Sequence, residues 1–150
     1  MQTILLADDS KNIREYCRAA LEDDGYRVVL AQDGVEALAV FCEKLPDLVI
    51  LDIGMPRMNG LETLDRIMVV APGAPVILFT AQDEGCLQDR RGRLACACLE
   101  KDEDLSELKL AIRRILATTP VERQMASWRL GLPPDCAQAS REAETEVNAI

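Results

Sequence analysis

Five polar residues stand at the ends of short apolar runs. Asp8 and Asp9 follow Thr3–Ala7, Asp52 follows Asp47–Leu51, Thr80 closes Pro75–Thr80, and Lys101 comes just after Leu94–Leu99. Brought together, three carboxylates repel one another, and a divalent cation would relieve that repulsion. Carboxylate oxygens with few other donors suit Mg²⁺, which keeps part of its water shell and accepts phosphate oxygens. A carboxylate beside such an ion can attack a phosphoryl group to give an aspartyl phosphate. Charge on the transferring group then needs neutralising by metal, ammonium and hydroxyl donors. Lys101 offers the ammonium and Thr80 the hydroxyl, while the small Ala81 leaves a route in. Each residue also has a plainer use. An Asp pair after a strand serves as a helix N-cap, Asp52 before Gly54 and Pro56 serves a turn, Thr80 caps a helix, and Lys101 is a solvated charge. Their joint occurrence at four strand ends, in this order, favours one shared site.

The elements that must position these residues are legible from periodicity. With Arg27–Ala31, the apolar runs number five, and three are nearly continuous, as expected for strands covered on both faces. Between them, apolar residues recur at helical spacing: Ile13, Cys17, Ala20 and Leu21; Leu38, Phe41, Cys42 and Leu45; Leu61, Leu64, Ile67 and Met68; Leu105, Leu108, Ile112, Ile115 and Leu116. Asp33 with Glu36 reads as a capping box, and Gly25 sits where the first helix should stop. Asp102, Glu103 and Asp104 at the start of the last helix, and Arg113 and Arg114 near its end, suit the helix dipole. The segment between Asp83 and Arg93 is expected to hold a short fourth helix, weakened by Gly85 and Gly92. Strands alternating with helices imply an α/β fold with a parallel sheet and right-handed crossovers. Such sheets carry their sites at the carboxyl ends of strands, where the strand order reverses.

Composition narrows the rest. Hydrophobic residues make up 49% and aromatics 3%, so the core must be aliphatic. A net charge of −9 repels a polyanion and argues against nucleic-acid binding. No apolar run approaches the roughly 20 residues of a membrane span, and nothing resembles a signal peptide, so the expected compartment is the cytoplasm. Six cysteines and no histidine are present, without a C-x-x-C pair. Cys96 and Cys98 are poorly spaced for zinc, and reduced thiols acting as small hydrophobes are expected.

The segments Leu5-Leu6-Ala7-Asp8-Asp9-Ser10, Leu51-Asp52-Ile53-Gly54-Met55-Pro56-Arg57-Met58-Asn59-Gly60, Phe79-Thr80-Ala81 and Leu99-Glu100-Lys101 resemble the receiver domains of bacterial two-component response regulators. The resemblance covers about residues 1–118 and implies a flavodoxin-like (βα)5 sandwich with strand order 2-1-3-4-5. It implies that Asp52 is the phosphoacceptor, and that Asp8, Asp9, Asp52 and the backbone carbonyl of Gly54 hold Mg²⁺. Thr80 and Lys101 would contact the phosphoryl group beside Ala81. The donor would be a sensor histidine kinase or a histidine phosphotransfer protein, with pairing carried by exposed residues of the first helix such as Lys11, Arg14 and Arg18. The expected function is a single-domain response regulator, a signalling protein and not an enzyme in its own right, which binds a downstream protein or relays phosphate. A degenerate receiver serving as a phosphorylation-independent binding module is the alternative. A small phosphatase with an aspartyl-phosphate intermediate would need a second acid where Gly54 stands.

Three positions depart from the family pattern. Asp102 replaces the proline that usually follows the lysine, which puts the reach of Lys101 in question. Cys98 replaces an aromatic that usually swings inward on activation. Gly54 replaces a larger side chain, so the acceptor should be more open to water and small donors. Residues 119–150 read as a short tail: Val121, Met125 and Trp128 form one helical stripe, Pro133 and Pro134 break it, and the end is expected to be disordered. The stripe suits packing on the domain or a homodimer contact.

Overall fold

The computed structural model describes residues 1–81, 90–101 and 104–117. They form β1 (Thr3–Ala7), α1 (Lys11–Asp23), β2 (Arg27–Ala31), α2 (Gly34–Lys44), β3 (Leu48–Leu51), α3 (Gly60–Val70), β4 (Val76–Thr80), a 3₁₀ turn (Arg90–Leu94), β5 (Ala97–Glu100) and α4 (Ser106–Ile115). The five strands make one parallel sheet in the order β2-β1-β3-β4-β5. This is the α/β fold and strand order expected.

Alternate strand residues feed two aliphatic layers, as the two-residue strand period requires. Leu5, Val49, Leu51, Val76 and Leu78 pack with Leu38 and Phe41 of α2 and Leu64 and Ile67 of α3. Ile4, Leu6, Leu48, Ile50, Ile77 and Phe79 pack with Cys17 and Leu21 of α1 and Leu108 and Ile112 of α4. Full burial of β3 and β4 explains their unbroken apolar runs.

Local chemistry sets the boundaries. Ser10, Asp33 and Asn59 accept the backbone N–H of Ile13, Glu36 and Glu62, which caps the first turns of α1, α2 and α3. Gly25, at φ +94°, turns the chain after α1. Asp47 lies just before β3, its carboxylate accepting the Thr3 N–H. β5 begins at Ala97, later than the expected Leu94, because pairing with β4 starts at Ile77 opposite Ala97, and Arg90–Leu94 closes into the 3₁₀ turn instead. The rest of the expected fourth helix, Asp102 and the tail from residue 118 lie outside the described residues.

Two glycines allow a close approach that fixes the segment after β3. A Cβ on Gly34 would stand 2.1 Å from the Met58 carbonyl oxygen and 2.2 Å from Thr63 Oγ1, and one on Gly60 would stand 2.2 Å from the Asp52 carbonyl oxygen. Among the described residues, nothing lies within 4 Å of that position at Gly54. Gly34→Ala should therefore cost about 1–3 kcal/mol of unfolding free energy, whereas Gly54→Ala should stay within about 0.5 kcal/mol of wild type. Urea titration of both variants reads the contrast directly.

Candidate functional site

The parallel register delivers the polar residues to one edge. Ala7 pairs with Leu51, so Asp8 and Asp52 leave adjacent strands side by side. The ladder runs one step beyond the strands: the Asp52 N–H donates to the Ala7 carbonyl at 2.9 Å, and the Lys101 N–H to the Thr80 carbonyl at 2.7 Å. Carboxylate oxygens of Asp8, Asp9 and Asp52 lie within 4.8 Å of one another. Asp8 and Asp52 are buried, at 1% and 6% exposure, while Asp9 faces solvent.

Such a cluster needs compensation, and Lys101 provides part of it. Its Nζ lies 2.5 Å from Asp8 Oδ2 and 3.2 Å from Asp52 Oδ2. Burial alone would pull the Lys101 ammonium down, but the bonds to Asp8 and the charge of Asp52 outweigh burial and raise it. For Asp52 the balance is different. Burial and the neighbouring Asp8 charge push its carboxyl up, more than Lys101 and the Gly54 N–H pull it down. Three carboxylates thus face the Lys101 ammonium, which suits a divalent cation. Asp8 Oδ1 also accepts the Ser10 N–H, and the Asp8 carbonyl accepts from Arg14 Nη1 at 2.6 Å.

The remaining expected residues sit around this cluster. Thr80 is buried at the end of β4, Ala81 follows it exposed, and Gly54 is exposed two residues after Asp52. The Gly54 N–H points to Asp52 Oδ1 at 3.4 Å. Lys101 reaches both carboxylates without the usual proline behind it. Sequence reasoning missed a second tie. Asp33, buried at the start of α2, accepts the Glu36 N–H with one oxygen and faces Arg57 Nη1 at 3.5 Å with the other. Arg57 holds φ +66° in the loop that carries Asp52 and Gly54, and the Gly34 N–H donates to the Met58 carbonyl. The Asp-Gly start of α2 thus grips the loop that follows Asp52. Arg57 is also a non-glycine residue in the left-handed region, and nothing in the local sequence announces the contact.

The cysteines need a correction. Cys17 is buried and free, with burial pushing its thiol up to about 11, and Cys96 is exposed and free. Cys42 and Cys98, expected as thiols, are each disulfide-bonded. Disulfide pairing depends on Cα separations that sequence does not carry. The residue at the usual aromatic position is therefore covalently tied.

Residues 4–113 match the model of the response regulator receiver domain. The chain belongs to the response-regulator receiver family. Response regulator MprA of Mycobacterium sp. (strain KMS) is 38% identical over 119 residues, which is 77% of this chain and 51% of that protein. The receiver chain thus spans about half the length of the curated relatives it matches. The response regulator TrrA of Thermotoga maritima, solved in complex with Mg²⁺-BeF, is 37% identical with a TM-score of 0.75, covering 77% of this receiver and all of that chain. TrrA has also been solved in complex with the histidine kinase ThkA, with a TM-score of 0.72 over 77% of this chain and 99% of that one. The non-phosphorylated HemR receiver domain of Leptospira biflexa is 30% identical with a TM-score of 0.71, covering 79% and 97%. A receiver is a signalling domain, and among the described residues of this one no helix is long and apolar enough to cross a membrane.

The raised Asp52 carboxyl carries a sign for stability. Its protonated form is favoured by the fold, so its contribution is present below the ordinary carboxylate range and lost as pH rises through the folded value. At neutral pH in chelator, Asp52→Asn should therefore show a higher urea midpoint than wild type. Added Mg²⁺ should raise the wild-type midpoint more than the variant's, narrowing or reversing the gap.

Proposed function

We propose that this receiver is a phosphorylation switch in which Asp52 accepts a phosphoryl group from a phosphohistidine. The observation that carries the reading is the convergence of Asp8, Asp9 and Asp52 with Lys101 bridging two of them. A carboxylate oxygen of Asp52 bonds to phosphorus as the donor's P–N bond breaks, and the imidazole leaves with the bonding pair. Lys101 turns from its carboxylate partners toward the incoming phosphoryl oxygens, and the Thr80 hydroxyl donates to one of them. Ala81 keeps that side of the acceptor clear. Mg²⁺ would be held by Asp8, Asp9, Asp52 and the Gly54 carbonyl, and when bound it supplies positive charge to the phosphoryl oxygens. The oxygen-rich donor set and its surplus negative charge fit that ion.

Residues 1–118 form the receiver unit in this proposal and 119–150 an extension, with a cytoplasmic setting. The donor is a sensor histidine kinase or a histidine phosphotransfer protein, by analogy with TrrA and ThkA, and exposed α1 residues such as Lys11 and Arg18 offer it a face. The output is a change in binding to a downstream protein or onward phosphate transfer.

Intact mass after incubation with acetyl phosphate tests the reading. One phosphate adduct is expected on wild type with Mg²⁺, and none with chelator or in Asp52→Asn. Absence of an adduct even with a histidine kinase would favour the phosphorylation-independent binding module. The open space at Gly54 gives a second expectation: Gly54→Asn should lengthen the lifetime of the adduct by shielding it from water. An unchanged lifetime would remove Gly54 as a determinant.

A further inference from the structure

The edge of the sheet at β5 leaves one helix flank without a cover among the described residues. A groove of about 500 Å³ runs between β5 and α4, its floor formed by Ala97, Leu99 and Ala111, with Leu110 and Ile115 on its helical wall. Glu107 and Arg114 also line it. Leu110 is 48% exposed although it belongs to an otherwise well-packed helix whose core face is Leu108 and Ile112. Glu107, Leu110, Ala111, Arg114 and Ile115 repeat at helical spacing, so this is a second stripe beside the one that packs on the sheet.

We propose that the occupant of this groove is the chain's own segment Val121–Leu130, folded back as a helix antiparallel to α4. Three observations select it over a second copy or a foreign partner. The first is proximity: the described chain continues past Ala117 directly from the helix that forms the groove, and a connection of five residues or fewer suffices for an antiparallel helix pair. The second is a helix start in the right place. Thr119-Pro120-Val121-Glu122 has Thr at the cap position, Pro at the first helical position and Glu at the third, the pattern of a capping box with an N-terminal proline.

The third is charge and apolar register. Glu107 and Arg114 are seven residues apart on α4, and Glu122 and Arg129 are seven residues apart in the segment. Seven residues is close to two turns, about 10 Å of helix. In an antiparallel pair, the register that sets Glu122 against Arg114 also sets Arg129 against Glu107. That same register places Val121 opposite Ile115 and Met125 opposite the small Ala111, and brings Trp128 to the Leu110 end of the groove. The ion pairs are rim contacts and fix register more than affinity; burial of Leu110, Met125 and Trp128 supplies the attraction.

Trp128 is the single tryptophan of the chain, so its fluorescence in the full 150-residue protein reports on the groove alone. The expected result is blue-shifted emission and an acrylamide quenching constant well below that of the urea-unfolded chain, both independent of protein concentration. Leu110→Lys, at a surface position and with its circular dichroism checked against wild type, should move the quenching constant toward the unfolded value. Arg114→Glu should raise it partway, and adding Glu122→Arg to that variant should restore it. Quenching equal to that of the unfolded chain would overturn the proposal. So would protection that disappears on dilution, which would assign the groove to a second copy, or protection that none of these substitutions alters. None of these readouts depends on phosphorylation, so their failure is separate from failure of the Asp52 reading.

Discussion

The structure is organised around charge that does not cancel. Asp8 and Asp52 are held side by side and buried at the carboxyl edge of a parallel sheet, with Asp9 beside them and one ammonium, that of Lys101, between the two buried carboxylates. Removing carboxylates from water is costly unless they are paired or hydrogen-bonded. The fold meets that cost with backbone geometry. The parallel ladder continues one residue past β3 and β5 through the Asp52 and Lys101 N–H groups, which fixes the backbone from which both side chains reach the cluster. Two aliphatic layers, one on each face of the sheet, make the ladder rigid enough to hold the repulsion.

The loop after Asp52 shows the same economy of space. Gly60 lets the chain pass against the Asp52 carbonyl, and Gly34 lets the start of α2 close on Met58 and Thr63. Asp33 divides its two oxygens between the first turn of α2 and the Arg57 guanidinium. With Arg57 about 42% exposed, that ion pair contributes direction more than stability; the tight main-chain approach at Gly34 does most of the holding. Gly54 is the opposite case. Nothing crowds it, its backbone is unremarkable, and a larger residue would fit. Its smallness therefore answers to no packing demand among the described residues.

Much of this was legible in the residues. Asp8, Asp9, Asp52, Thr80 and Lys101 could be placed on one edge because each follows an apolar run whose length and burial pattern mark a strand, and the strand order follows from family resemblance. The caps at Asp33 and the stop at Gly25 follow from rules local to a few residues. What was not legible depends on distances between segments far apart in sequence. The contact between Asp33 and Arg57 spans 24 positions. Leu94 is apolar enough for a strand, yet β4 offers it no pairing partner, so β5 starts at Ala97. Cys42 and Cys98 were read as thiols because spacing says nothing of which sulfurs meet.

The bonded sulfur of Cys98 lies on the strand that pairs with Thr80. Lys101 and Thr80 are joined through the main chain, and Thr80 lies opposite Glu100 in the ladder, so β5 is the first element to feel any movement of Thr80. In the family pattern the movement is taken up by an aromatic side chain rotating at the position of Cys98. Here that position has a small side chain whose sulfur is already bonded, so no comparable rotation exists. The link between Thr80 and β5 is the backbone itself: Thr80 pairs with Glu100, and the Lys101 N–H donates to the Thr80 carbonyl. The groove between β5 and α4 is bounded by Ala97 and Leu99, which sit in the same four-residue strand. Both residues thus belong to the strand that pairs with β4 up to Thr80, so the edge groove shares its backbone with the Asp8–Asp52–Lys101 cluster.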